Sequence, residues 1–333
     1  MKSSLILTLG AVSLLAACGD GNGISEDKSG NNNGNGGGGA GGDTSITAAN
    51  ALMVTNITYQ TALSTGGAAE FSNGGGILAS SSSPISKIDG SFATANAGSS
   101  SSASIPIGPT VENCLEGGTS TLSGDIADPI TPTFTPNDYF EVVYVQCNDG
   151  FSVIDGQLLY EVDAFNGDLL SGIYDLTMTA TFTDFQVAAL EDTLVSNGDV
   201  TVRLNTLVVP IIATEVSGVS LTIDGGTDSQ SLTAFSSTHS QDLELVPSPY
   251  SQTSSGSLDS TQLPGAVTYS TPVAFTGFDA DYPSTGEFLI TGQSSSAKLI
   301  VVDNVNVLIE VDADGDGTVD STIETTWVAL NAS

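Results

Sequence analysis

The densest run of groups able to do chemistry is Asp312-Ala313-Asp314-Gly315-Asp316-Gly317-Thr318-Val319-Asp320. Hard cations such as Ca²⁺ take roughly six to eight oxygens, and carboxylates at alternate positions around a glycine-enabled turn supply them. A polar Asp/Gly hairpin turn is the plainer reading of the same residues. Nucleophilic catalysis has weaker candidates. The single histidine, His239, has Ser240 and Asp242 nearby in the chain. A triad needs its base and nucleophile within hydrogen-bond reach, which sequence proximity does not establish, so a lone exposed histidine is the expectation. Ser295-Ser296-Ala297-Lys298 has Ser-x-x-Lys spacing, but such serines usually begin a helix, their lysine must be desolvated, and no KTG sequence accompanies them. Here the four residues read as a hairpin turn. Zinc lacks a ligand set, because one histidine and two cysteines that pair with each other cannot complete four ligands. Among 38 acids, carboxylate pairs for glycoside hydrolysis have no sequence signature. The aromatic platforms such sites display are scarce, since only Trp327 and eight tyrosines are present and Trp327 reads as a packed strand residue. No catalytic residue is assigned, and the chain is expected not to be an enzyme.

The acidic run resembles the DxDxDG loops of EF-hand proteins. The resemblance assigns Asp312, Asp314 and Asp316 to the first, third and fifth positions, Gly317 to the turn, the Thr318 carbonyl to the next ligand and Asp320 to the last before the gap. The family's closing bidentate Glu is replaced by Ile323, with Glu324 one place late, and the loop joins two expected strands instead of two helices. The resemblance therefore implies a weak, structural Ca²⁺ whose missing ligand comes from Glu324, another loop or water.

The amino terminus determines where such a loop would work. Lys2 gives a short positive start, an apolar run from Leu5 to Leu15 follows, and small residues precede Cys18. A run of this length is too short to span a bilayer, which takes about 20 residues, so residues 1–17 read as an export signal that is removed. The ending Leu15-Ala16-Ala17-Cys18 resembles the lipobox of bacterial lipoproteins. That resemblance implies a diacylglycerol on the Cys18 thiol, cleavage just before it and acylation of the new amine. Two or three acyl chains anchor firmly where one does not. Gly19 follows the cysteine and Asp20 comes only after it, which in that family implies the outer membrane, by its periplasmic face or at the cell surface.

From Gly19 to Asp43 the chain holds 11 glycines and 5 asparagines, a composition that cannot form a core. Residues 18–43 are thus a lipidated tether with a root-mean-square reach of about 25–30 Å. The glycines carry no phosphate-loop signature, since no strand precedes them and no GK[ST] follows.

Charge excludes several partners. Thirty-eight acids face five bases, for a net charge of −33, and Lys2 leaves with the signal. Nucleic acid affinity comes largely from Lys and Arg, so nucleic acid is not a partner. Anionic headgroups repel such a domain, which leaves the lipid as its membrane contact. Other envelope components remain as partners. Cys114 and Cys147 are the cysteines left after Cys18, and in an oxidising compartment they are expected to pair. The bridge closes roughly 33 residues and contributes ~3–4 kcal/mol in the chain-entropy picture.

Residues 44–333 read as one β-rich domain with an N-terminal helix. Thr44–Ser64 is the helix, with Ile46, Ala49, Leu52, Met53, Ile57 and Leu63 near one face. Gly66–Gly76 and the Ser-rich stretch Gly98–Ser104 read as loops. From Cys114 onward strands dominate: Glu141–Gln146, Gln157–Ala164 after a turn at Asp155-Gly156, Tyr174–Val187, Asp199–Leu207, Val216–Ile223, Leu232–Phe235, Asp242–Val246 and Val267–Phe275. A final meander follows over Gly286–Gln293, Ala297–Val302, Val305–Asp312 and Thr318–Ala329. About a dozen strands on short connections predict a large curled antiparallel sheet or open barrel, with a β-sandwich as the alternative.

The layout resembles proteobacterial lipoproteins that pair a Gly-rich tether with a Cys–Cys-containing β-domain. Asn113-Cys114-Leu115-Glu116-Gly117-Gly118-Thr119, Cys147 and Gly156-Gln157-Leu158 carry the resemblance. It implies no activity. The expectation is a lipid-anchored structural or interaction module of the envelope. The alternative is a carrier sheltering an apolar, lipid-like ligand, on the looser likeness of curled-sheet periplasmic carriers.

Overall fold

A computed structural model of the chain describes residues 44–72, 105–127, 133–169, 171–189, 192–226, 228–278 and 281–332. The export signal, Cys18, the tether and the Ser-rich stretch at 98–104 lie outside the described residues. Fourteen strands form one sheet in strict sequence order, every neighbouring pair antiparallel. They are β1 (Ile105–Asn113), β2 (Thr119–Ile126), β3 (Tyr139–Asn148), β4 (Ser152–Asp168), β5 (Ile173–Ala189), β6 (Asp192–Asn205) and β7 (Ile211–Asp224), followed by β8 (Ser229–Asp242), β9 (Pro249–Ser260), β10 (Val267–Phe278), β11 (Thr285–Gly292), β12 (Ser295–Val301), β13 (Asn306–Asp312) and β14 (Ser321–Thr326). Helix α1 (Ala51–Ser72) precedes the sheet, and the short α2 (Trp327–Asn331) ends it. β1 and β14 do not pair, so the sheet is open, and it is one sheet instead of the two of a sandwich.

The sheet bends because one strand after another carries a bulge. Register shifts interrupt β3–β4 after Tyr144, β4–β5 after Asp155, β5–β6 after Phe182, β6–β7 after Gly198 and β8–β9 after Thr233. Each shift bends and twists its strand. The residues in left-handed conformation sit there: Gln146, Gly156, Asp184, Gly198 and Ala234. Gly156 is a glycine of necessity, since φ is 96° and a Cβ would stand 2.2 Å from the Asp184 carbonyl oxygen. The Asp155-Gly156 pair that reads as a hairpin turn is this bulge inside β4.

Curvature lets β6 to β13 close around α1. Ala51, Val54, Thr55, Thr58, Tyr59 and Ala62 are buried along one side of the helix, while Met53 on the opposite side is exposed. They share one core with Val202, Phe235, Leu258, Phe288, Leu299, Ile309 and Trp327. The expected apolar stripe is corrected accordingly: of its helical members Met53 is exposed and Leu52, Ile57 and Leu63 are only partly buried, while the side that goes inside carries Thr55 and Thr58. Its start is corrected as well, from Thr44 to Ala51. Thr44 is held extended by backbone bonds to Ala266 and Gln293, and Thr47 accepts the first helical bond from Ala51. The helix also continues past Gly66 and Gly67, each costing ~1 kcal/mol relative to Ala.

The first five strands carry a second core of Leu122, Phe140, Val142, Tyr144, Leu158 and Phe185. Burial pushes the Tyr144 hydroxyl up to about 12. Cys114 and Cys147 lie at bonding distance, their Cα atoms 5.3 Å apart, joining the turn after β1 to the end of β3. Three further expectations are corrected. Of Asp242–Val246 only Asp242 is strand, ending β8, and the rest is the connection to β9; Ser295 to Lys298 belongs to β12, the turn before it being Gln293-Ser294; and the last strand ends at Thr326, so Trp327 is helical.

In an antiparallel meander the connections alternate between two ends. Those leaving odd-numbered strands share the end where Thr44 enters. Those leaving even-numbered strands share the opposite end.

Candidate functional site

The acidic run forms the β13–β14 connection, at the end where Thr44 enters. Its backbone is tied down by its own carboxylates. Asp312 accepts from the Gly315 and Gly317 amides at 2.7 and 2.9 Å, and Asp320 accepts from the Ala313 amide at 2.8 Å. Gly315 and Gly317 have φ of 75° and 87°, as the reversal requires. Carboxylate oxygens of Asp312, Asp314 and Asp320 lie within 4.8 Å of one another, close enough to share one cation.

Asp316 is not in that group. Its Oδ1 accepts from the Thr318 amide at 2.7 Å and from the Thr318 hydroxyl, which together hold its carboxyl below the usual carboxylate range. Thr318 is therefore the hydrogen-bond partner of Asp316. Glu324 lies in β14, opposite Leu308.

The nucleophile candidates come apart. A strand sends positions three apart to opposite faces, so Ser295 and Lys298 do not meet. Ser295 is buried; its hydroxyl accepts from the Ile46 amide at 2.8 Å and donates to the Gln293 carbonyl at 3.1 Å, fastening the entering chain to β12. Lys298 is 2.8 Å from Glu310, whose hydrogen bond raises its pKa, the reverse of an activated amine. His239 lies in β8 and stacks on Tyr250 at 5.8 Å between ring centres. Ser240 faces the other side of the strand, and Asp242 accepts from the Glu244 amide to shape its own turn.

Two features had no signal in local sequence. Between the ends of β6, β7, β8 and β9 lies a cleft of about 520 Å³, lined by Asn197, Asp224, Gln230, Asp259, Leu263 and Pro264 among others. Its residues come from four separate connections and strands. The second is an aromatic group in which Tyr59 of α1 meets Phe275 at 5.5 Å, Phe288 at 5.8 Å and Trp327 at 5.2 Å, while Tyr282 stacks on the far face of Trp327. Spacing in sequence reads Trp327 as packed but does not show that it packs against Tyr59 of α1. Comparison with protein-family models, with curated proteins and with solved structures finds no match to this chain in any of the three.

Proposed function

We propose that this chain is a lipid-anchored protein of the cell envelope that acts as a non-enzymatic interaction module, held through Cys18 at the end of a Gly-rich tether. The observation that carries the choice of module over carrier is the placement of α1. A carrier with a curled sheet keeps its concave side for the ligand; here α1 packs its buried side into the core formed by β6–β13. No described helix is long and apolar enough to cross a membrane. The net charge of −33 opposes adsorption to anionic headgroups. A Ca²⁺ shared by Asp312, Asp314 and Asp320 would tie down the loop beside the entering chain in a structural role.

The test uses the full chain. Detergent-phase partitioning and mass spectrometry should find wild type acylated at Cys18, and Cys18→Ser should leave the precursor unlipidated and water-soluble. The released Cys18→Ser protein is then extracted with organic solvent. A module yields no stoichiometric lipid, whereas one lipid per chain would replace this reading with the carrier.

A further inference from the structure

Three neighbouring hairpins at the end opposite the chain entry present aliphatic side chains to solvent. The β6–β7 connection carries Leu207, Val208 and Val209, the last two 62% and 67% exposed. The β8–β9 connection carries Leu243, Leu245 and Val246, and Val246 is 96% exposed. The two are joined by the Leu243 amide bonding to the Pro210 carbonyl. The β4–β5 tip, with Ile173, is stitched to the first by Thr206, which bonds to Gly172 and Tyr174. The three tips are therefore neighbours, and aliphatic side chains gathered at solvent mark an interaction site more often than single exposed ones do.

The rim narrows the occupant. Asp168, Asp242 and Glu244 flank the tips. The base closest in sequence, Arg203, is already held by Asp175 at 2.8 Å and Glu215 at 3.2 Å. A second copy would bring carboxylates onto carboxylates, and an anionic bilayer would be repelled in the same way. A partner that buries the aliphatics and answers the rim needs an apolar centre edged with Lys or Arg. The side matters too: Thr44 enters the domain at the other end, so the tips lie opposite the point of entry.

We propose that these three hairpin tips are the docking surface of the module, and that their partner is a protein face with an apolar centre and a basic rim. This rests on the interaction-module reading above and adds the surface and the partner's chemistry.

The probe is an amphipathic helical peptide with a Leu face bordered by Lys, titrated against the full chain carrying Cys18→Ser. The matched peptide with Glu in place of Lys is the first control, and zwitterionic and anionic vesicles are the second. The expected result is saturable binding of the Leu/Lys peptide, weakened about tenfold or more by Val208→Ser with Val246→Ser. Val219→Ser, at an equally exposed valine within β7, should leave binding unchanged. Neither change alters charge, and both tip positions are exposed, so melting temperatures should stay within about 1–2 °C. Binding equal in wild type and the tip variant would show that overall acidity attracts the peptide, and overturns the proposal. So would vesicle binding or self-association that depends on the same two valines. A Cys18 that proves unacylated would remove the anchor without touching this result, so the two readings fail separately.

Discussion

Thr58 gives a prediction whose sign is unusual. It lies within α1, is fully buried, and its Oγ1 has no hydrogen-bond partner among the described residues. Thr61 one turn on shows the ordinary solution, donating to the Ile57 carbonyl at 2.8 Å. A hydroxyl buried without a partner costs about 1–3 kcal/mol. Thr58→Val keeps the β-branched shape and its rotamer preference and puts a methyl group where the hydroxyl stood. The two residues have similar helix propensities, so the backbone contributes little to the difference. The net expectation is a gain of about 1–2 kcal/mol, read as a rise in melting temperature of roughly 2–5 °C. Thermal and urea unfolding of the full Cys18→Ser chain measure it. Thr58→Ser is the companion, since it keeps the hydroxyl, deletes the methyl and should lose about 1 kcal/mol. A loss of 1 kcal/mol or more for T58V would mean that the hydroxyl is bonded inside the domain, and the account of α1 as a filled, dry core would be wrong.

Replacing Cys114 and Cys147 together by Ala should remove about 3–4 kcal/mol, and a strong reductant should bring wild type down to the variant while leaving the variant unmoved. A wild type indifferent to reductant rejects the bridge. At the loop, Ca²⁺ should raise the melting temperature of wild type and leave Asp314→Ala where it was; identical curves in calcium and in chelator reject the cation. Asp175 is held below its ordinary 3.8, first by the hydrogen bond from Arg203 and then by the guanidinium charge, against partial desolvation. A depressed carboxylate pKa adds stability that is present above the unfolded pKa and lost as pH falls through the folded one. Asp175→Asn should therefore cost less than about 1 kcal/mol at pH 7, the pair being partly exposed, with the gap closing below about pH 4. A gap that widens in acid contradicts this.

The fold class was legible because exposed and buried residues alternate along many strands. The meander from β11 to β13 is legible nearly to the residue: Phe288, Ile290, Leu299, Ile309 and Val311 are buried at alternate positions and lie on one face of the sheet. β9 was not visible, since Pro249–Ser260 is mostly Ser, Thr and Gln and is a strand because β8 and β10 flank it. Leu207 and Leu243 to Val246 failed the other way. Their β-forming, apolar residues imitate strands, yet they lie at exposed connections. The helix is legible but its start and its buried side are not, because Thr44 is extended by partners more than 200 residues away and the buried side includes Thr55 and Thr58 while Met53 is exposed. In the acidic loop, spacing brought out Asp312, Asp314 and Asp320 correctly as neighbours. It could not show that the Thr318 hydroxyl takes Asp316 out of the group.

An open sheet has two edges, each a template for pairing with another strand, so the aliphatic tips matter only if the edges are quiet. They are. β1 carries Pro106 and Pro109, which have no N–H to donate, and a register shift falls between Ile107 and Thr110. β14 has only six residues, includes Glu324, and passes at once into α2, whose first amide bonds back to Val305. Backbone-driven association is blunted at both margins, and long-range repulsion between chains of net charge −33 adds to this. Association through side chains is then left to the surface where apolar area is concentrated, at the end facing away from the chain entry. Introducing one charge there, Val246→Glu, should abolish binding of the Leu/Lys peptide even though it strengthens the general attraction for a basic probe. Stronger binding by V246E would mean that charge, and not the aliphatic surface, governs what this domain holds.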